Sequence, residues 1–348
     1  PIVGYGFTSN GRYAVTGPLN DRFVPRLLGA EPHELLAADG TNLDPHRAWD
    51  VLMRGEKPGG HGDRAHAVGA LDMAVWDIVA KVEGRPLFRV LADRYRDGAA
   101  DEGVFVYAAG GYYEPGKDVA ALRDECRRYR DQGFDTVKIK IGGDSLDADR
   151  RRIEGVLEVL DRPDQLAVDA NARFDAERAR EVGRALAPYG LRWYEEPVDP
   201  LDFHGLAEVA ADYDGPLATG ENLFSARDAE NLLRFGGLRS DRDVLQVDLA
   251  LSYGIVEYLR ILAVLERFGW DRRRCIPHGG HLAAIHAAAG LGLGGNEIYP
   301  GVFEPFGLLP TDAEVVDGHV RPPEAPGIGF ELVAPLAALL RDVVRGRA

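Results

Sequence analysis

The sequence predicts an α/β fold, a parallel (β/α)-barrel joined to a small helical subdomain, and three observations carry the prediction of the barrel. From Val104 onward, short β-branched or apolar runs alternate with helical stretches, the rhythm of repeated βα units on a parallel sheet. Eight such runs fit into the chain length that a barrel of this kind takes. Nearly every run ends in an ionisable residue, and barrel loops converge over the C-terminal ends of their strands.

The small helical subdomain comes first in the chain. Asp21 to Ala37 and Pro45 to Met53 give weak helical patterns separated by Gly- and Asn-rich loops. Between residues 63 and 83, Ala67, Leu71, Ala74, Val75, Ile78 and Val79 recur at helical spacing, which predicts one buried face. That helix stops at Gly84, with Pro86 after it. The eight barrel runs are VFVYAAG from Val104, TVKIKIG from Thr136, QLAVDAN from Gln165, LRWYEE from Leu191, PLATGEN from Pro216, DVLQVDL from Asp243, RCIPHGG from Arg274 and GGNEIYP from Gly294. Helices are predicted between them over Val119 to Gln132, Leu146 to Leu160, Ala176 to Leu186, Ala226 to Phe235 and Ile255 to Phe268. The expected division is the helical subdomain over 1–102, a (β/α)-barrel over 103–302, and a C-terminal segment over 303–348 that packs back on the subdomain. That last segment is Pro- and Gly-rich at first, then helical from Leu332 to Val344.

Composition narrows the function. The 348 residues carry 41 Lys plus Arg against 56 Asp plus Glu, a formal net charge of −15. Such a field repels nucleic acid and anionic membranes, so neither is an expected partner. It also repels a dianionic substrate, so an acid-binding site needs local cations or a metal. Hydrophobic residues make up 45% and charged residues 28%, the balance of an ordinary globular protein. The two cysteines, Cys126 and Cys275, lie far apart outside any CxxC spacing, which fits a reducing cytoplasm. No apolar run reaches the length of a membrane span.

The strand ends supply the chemistry. Asp169, Glu195 and Glu221 end three adjacent runs and can offer carboxylate oxygens to one point. Carboxylates gathered at one rim repel one another unless a cation joins them, and an all-oxygen set favours Mg2+ over zinc or copper. Glu196 follows Glu195 directly, so strand alternation should turn it away from Glu195, which leaves Glu195 as the ligand and Glu196 in support behind it. Lys138 and Lys140 are two apart, so both face the interior while Val137, Ile139 and Ile141 face the helices. Two ammonium groups so close predict that one loses its proton near neutrality and serves as a general base. His278 and Asp248 come from neighbouring runs, and a carboxylate on one imidazole nitrogen poises the other for proton transfer. An HxxH metal pair of His278 with His281 is disfavoured, because Gly279 and Gly280 break any helix between them.

At these residues the sequence resembles the enolase superfamily, mandelate racemase subgroup: KIK, VDAN, YEEP, TGEN, the Asp after run six and the His after run seven. ALDMAVWDIVAKVEGRPLF is similar to the helix that leads from that superfamily's cap into its barrel. The implied fold is a modified TIM barrel with an α+β capping domain. NGRY, GEKPGGHG, VYAAGGYY, ATGENLF, ALSYG, CIPHGGH and LGLGGNE further resemble the D-tartrate dehydratase family. That resemblance implies Lys140 as base, His278 as acid, and Asn10, Lys57, Tyr112, Asn171 and Glu297 as substrate-facing groups. It also implies an acid-sugar substrate and a homo-oligomer. The cap strands and mobile loop that precede VGYGF in that family are absent from this sequence, so part of the lid over the substrate is expected to be missing or to have been removed. Glu114 stands where the close relatives carry a further aromatic.

The implied reaction starts when Lys140 takes the proton α to a carboxylate. Mg2+ and Lys138 hold the charge of the ene-diolate, and His278 protonates the departing β-hydroxyl; D-tartrate would give oxaloacetate. A racemase, or a dehydratase for another acid sugar, would use the same groups. A barrel that binds acids without catalysis is the alternative of another class. A metallohydrolase is disfavoured, because VFVYAAG lacks the His-x-His such barrels carry.

Overall fold

The computed structural model describes residues 2–8 and 14–344. Seven parallel strands form the barrel wall: β1 (Val104–Gly110), β2 (Val137–Lys140), β3 (Leu166–Asp169), β4 (Trp193–Glu195), β5 (Leu217–Thr219), β6 (Val244–Leu245) and β7 (Asn296–Ile298). Neighbours pair in chain order from β1 to β6, and β7 pairs back onto β1.

The seventh predicted strand, RCIPHGG, is reduced to a single parallel bridge between Leu245 and Cys275. Pro277 has no N–H to give a ladder, and Gly279 and Gly280 take φ of 110° and 60°. The segment still fills its place in the wall. Ile276 N–H donates to Leu245 O at 2.8 Å, and Glu297 N–H donates to Pro277 O at 3.2 Å. An antiparallel hairpin, β8 (Val315–Val316) and β9 (His319–Val320), attaches to the start of β1.

Strand alternation produces two separate cores. Val106, Ala108, Val137, Ile139, Leu166, Val168 and Tyr194 face the helices. Tyr107, Ala109, Ala167, Trp193, Ala218, Val244, Ile276 and Tyr299 fill the inside of the barrel. The predicted helices form at Val119–Asp131, Leu146–Leu157, Ala176–Leu186, Ala226–Phe235 and Gly254–Arg267. Further helices at Leu87–Tyr95, Phe203–Asp212 and Leu282–Leu291 complete the outer layer.

Before the barrel, the described residues form helices and one antiparallel bridge, Leu36 with Leu43. The stretch expected as one helix from Asp21 to Ala37 is broken. Helical turns end at Leu28, the chain bends through Gly29 to Glu31, and a short helix follows at Pro32–Leu35, entered through Pro32. The long helix Asp63–Val82 is buried almost all round, so the predicted single face needs correction. Leu71, Ala74 and Ile78 are only half-buried, while His66, Gly69, Met73, Asp77 and Ala80 on other faces are fully enclosed. From the C-terminal segment, Ile328 N–H donates to Asp77 Oδ1 of this helix at 2.7 Å. Among the described residues, no helix is long and apolar enough to cross a membrane.

Candidate active site

Register explains how the site assembles. Lys140 lies opposite Asp169, and Asp169 opposite Glu195, on three adjacent strands. All three therefore point inward at one height of the wall. Glu221 follows β5 after Gly220, whose φ of 123° turns the chain over the mouth. Candidate ligand oxygens of Asp169, Glu195 and Glu221 lie within 4.8 Å of one another, and all three side chains are buried. Burial, with the charges of Asp169, Glu297 and Glu221 added, outweighs Lys138 and pushes the Glu195 carboxyl up to about 8. Crowding of that kind is what a hard divalent cation relieves, so the donor set fits Mg2+.

Each carboxylate is braced. Glu195 Oε2 accepts from Trp193 Nε1 and from Gln246 Nε2, both at 2.8 Å, while Oε1 takes Lys138. Asp169 accepts from Asn171 N–H at 2.8 Å and from Asn171 Nδ2 at 3.2 Å, and Lys140 bonds its Oδ2. Asn171 is itself exposed and holds the ligand Asp169.

Glu196 does not turn away as alternation predicts. Its φ of 39° ends the strand geometry just past Glu195. The carboxylate accepts from Asn222 Nδ2 at 2.9 and 3.2 Å, and the same amide reaches Glu221 Oε1 at 3.4 Å. Glu196 therefore stands beside the triad, buried and joined to one of its members.

Lys138 is 1% exposed and forms ion pairs with Glu195, with Glu297 at 2.6 Å and with Asp169 at 3.6 Å. The expected loss of a proton from one lysine is not what this arrangement gives. Burial alone would depress both ammonium groups, yet Asp169 holds Lys140 above its ordinary value, and Glu195 with Glu297 does the same for Lys138. Each lysine has carboxylates of its own, and these outweigh the mutual repulsion. The Tyr112 ring lies against Lys140, with Nζ 5.4 Å from its centroid.

On the opposite wall, His278 Nδ1 lies 2.9 Å from Asp248 Oδ2. His281 Nε2 approaches the other oxygen of Asp248 at 3.3 Å, while its Nδ1 accepts from Ala284 N–H as a helix cap. Burial would lower the His278 imidazole, but Glu221, Glu297 and Asp248 outweigh it and push it up to about 10. Glu297 bonds Tyr299 through Oε2 at 2.7 Å, and Tyr299 Oη lies 2.8 Å from His278 Nε2.

The structure thus brings together Lys138, Lys140, Asp169, Glu195, Glu221, Asp248, His278 and Glu297, with Tyr112 and Asn171 at the edge. Lys57 stands elsewhere. It is exposed and lines a separate cavity of about 170 Å³ with Trp49, Glu56, Arg64 and Tyr253. Asn10 lies outside the described residues. Trp193, Gln246 and Tyr299 were missed in the sequence. Counting two residues back from Glu195 and Asp248, and two on from Glu297, finds all three on the inward face.

Residues 121–335 match a family described as enolase C-terminal domain-like. An L-talarate/galactarate dehydratase of Salmonella typhimurium is 32% identical over 300 residues, which cover 86% of this chain and 71% of that protein. An arabinonate dehydratase of Saccharolobus solfataricus is 29% identical over 299 residues, covering 82% and 74%. Among solved structures, a Streptomyces coelicolor racemase with bound magnesium superposes with a TM-score of 0.78 at 28% identity, covering 96% of this chain and 87% of that one. An L-talarate dehydratase of a Polaromonas species, complexed with Mg and L-glucarate, gives the same TM-score, identity and coverage. With the family match spanning most of the barrel and the carboxylate triad at its mouth, the chain belongs to the enolase superfamily, alongside the mandelate racemase and muconate lactonizing enzymes.

Proposed function

We propose that the protein is a magnesium-dependent acid-sugar dehydratase, in which Lys140 and His278 act from opposite walls on a substrate bound at Asp169, Glu195 and Glu221. The observation that carries this reading is the pairing of a buried three-carboxylate cluster with an amine on one side and an Asp-held imidazole on the other. Dehydratases among the relatives, acting by name on talarate, galactarate and arabinonate, support the same reaction class.

A magnesium ion on the triad would supply electrophilic stabilisation to the substrate carboxylate, whose α-proton is otherwise only weakly acidic. The chain's own residues do the rest. Asp169 cannot fully serve both the ion and Lys140, so as a ligand it loosens its hold on the amine that must accept the α-proton. Lys138, fixed by three carboxylates, remains cationic and holds negative charge that develops beside it. His278 donates a proton from Nε2 to the β-hydroxyl as water departs; Asp248 keeps the ring in the required orientation. The enol left behind becomes a 2-keto acid.

D-Tartrate, with oxaloacetate as product, is the narrower proposal. It rests on the NGRY, GEKPGGHG and VYAAGGYY segments, whereas the relatives named above act on other acid sugars. A screen of acid-sugar stereoisomers with magnesium, read as keto-acid formation, should find one dehydrated by the wild type. Lys140→Ala should lower that rate by roughly 10²-fold or more. Turnover of galactarate with D-tartrate inert would discard the narrow reading and keep the broad one. Exchange of the α-proton with D2O and no loss of water from any acid would favour a racemase.

A further inference from the structure

We infer that Tyr299 is a positioning residue for the acid His278, giving the imidazole a hydrogen-bond partner both before and after it gives up its proton. The inference rests on the dehydratase reading above for the role of His278, and on geometry for the role of Tyr299.

The Tyr299 side chain is 3% exposed and enters the barrel interior two residues beyond Glu297 on the same face. Its hydroxyl lies between two groups of the site: His278 Nε2 at 2.8 Å and Glu297 Oε2 at 2.7 Å. Phe303 packs edge-on against the ring, with centroids 4.8 Å apart. Gly280 clears the other side, where a Cβ would stand 2.6 Å from Tyr299 Cδ2. The ring is therefore enclosed, and only the hydroxyl hydrogen is free to turn.

That hydrogen has two acceptors, and they match the two states of the acid. When His278 carries both protons, Nδ1–H donates to Asp248 and Nε2–H to Tyr299 Oη, and the hydroxyl donates to Glu297. During catalysis the departing β-oxygen takes Oη's place as acceptor of the Nε2 proton and leaves as water. His278 then has a lone pair on Nε2. The hydroxyl turns its hydrogen from Glu297 onto that lone pair, and Lys138, 2.6 Å from Glu297 Oε1, still compensates the carboxylate. Neither imidazole nitrogen is left buried without a partner. Asp248 fixes one nitrogen; the bond to Tyr299 Oη at 2.8 Å fixes the direction in which Nε2 points, with Glu221 Oε2 and Glu297 Oε2 farther from it at 3.6 and 3.7 Å.

Tyr299→Phe removes the hydroxyl and keeps the ring. In magnesium-loaded protein with 15N-labelled histidine, the His278 signals can be assigned by their loss in His278→Asn. The Nε2 resonance should move in Tyr299→Phe, while Nδ1, still on Asp248, keeps its position. An unmoved Nε2 overturns the inference whether or not any substrate is turned over. On an acid sugar that the wild type dehydrates, the variant should lose about 10- to 100-fold in kcat with little change in KM, as losses of partners that orient a functional imidazole do. It should still exchange the α-proton with D2O, because Lys140 is untouched. Parallel loss of exchange and dehydration, or no loss of either, overturns it. A wild type inert towards every acid sugar would refute the dehydratase reading instead, with the resonance measurement still deciding the contact.

Discussion

Glu195 illustrates how much of the site rests on residues that bear no charge. Trp193 and Gln246 both donate to Oε2, so that oxygen is occupied from below and Oε1 is left to meet Lys138 and an ion. Partners of this kind set which lone pair a ligand presents, and losing one weakens metal binding by about 10- to 100-fold. Trp193→Phe keeps an aromatic ring in the barrel interior but removes the indole donor together with part of the side chain's volume. Its magnesium affinity, measured by titration calorimetry, should fall at least tenfold by that rule with the fold intact; an unchanged affinity would mean that the indole bond does not orient the ligand. The charged members of the site were legible in the sequence because strand ends in a parallel barrel converge. Their braces were not, because an indole or amide in a strand reads as ordinary interior filling until its partner is known. Glu196 was misplaced because alternation presumes extended backbone, and the left-handed turn at that residue cannot be read from YEEP.

The helices bring the same lesson to a larger scale. Those with one apolar stripe, such as Ala176–Leu186 and Ala226–Phe235, were found with their observed bounds. Asp63–Val82 was found too, but only part of its buried surface was: Ala67, Val75 and Val79 are enclosed as expected, whereas Leu71, Ala74 and Ile78 are half-buried. The barrel side presses Gly69 against the backbone of Gly254, and Asp72 accepts the Ile255 N–H at the start of helix Gly254–Arg267. The other side is covered by residues 2–8, whose Gly4 and Gly6 approach the carbonyls of Ala74 and Ala70 too closely for a Cβ. A helix covered on both sides has no single period to detect. Helix Leu282–Leu291, apolar all round, was missed for that reason. It carries a titration of its own. His286 is fully buried; its Nδ1 accepts from Phe88 N–H at 3.1 Å, and its Nε2 donates to Ile328 O at 2.9 Å. A proton on Nδ1 would face another N–H, and burial lowers the group from 6.5 to about 4. The unfolded chain therefore binds a proton first as pH falls, so this contribution is complete above about 6.5 and is lost on the way down to about 4. The loss is on the order of 3 kcal/mol. His286→Leu should be less stable than wild type at pH 7.5, because Phe88 N–H and Ile328 C=O lose their partner. In denaturant titrations between pH 6.5 and 4.5 it should also lose less stability than wild type does. Equal pH slopes for the two proteins would show that His286 is not held neutral.

The molecule as a whole sets a problem that the mouth of the barrel must solve. A formal charge of −15 attracts a divalent cation and repels a dianionic acid, yet the proposed reaction needs both at one point. The inner core supplies a dry, rigid floor of Tyr107, Trp193 and Ile276, so charges at the rim act at low dielectric and are screened little by salt. The diffuse field outside is screened strongly, because the Debye length shrinks from about 30 Å at 0.01 M salt to about 8 Å at 0.15 M. The two ligands should therefore respond to salt with opposite signs. Raising KCl across that range should weaken magnesium binding, by roughly a few fold, because the long-range attraction is lost. At saturating magnesium, the KM for a dianionic acid sugar should fall or stay level, because the long-range repulsion is lost while Lys138 and the bound ion keep their local pull. Magnesium affinity from calorimetry and KM from keto-acid formation, both followed against KCl, check the two signs. If KM instead rises in step with the weakening of magnesium, the local cations already dominate the field at the mouth, and the net charge of the chain has no part in selecting its substrate.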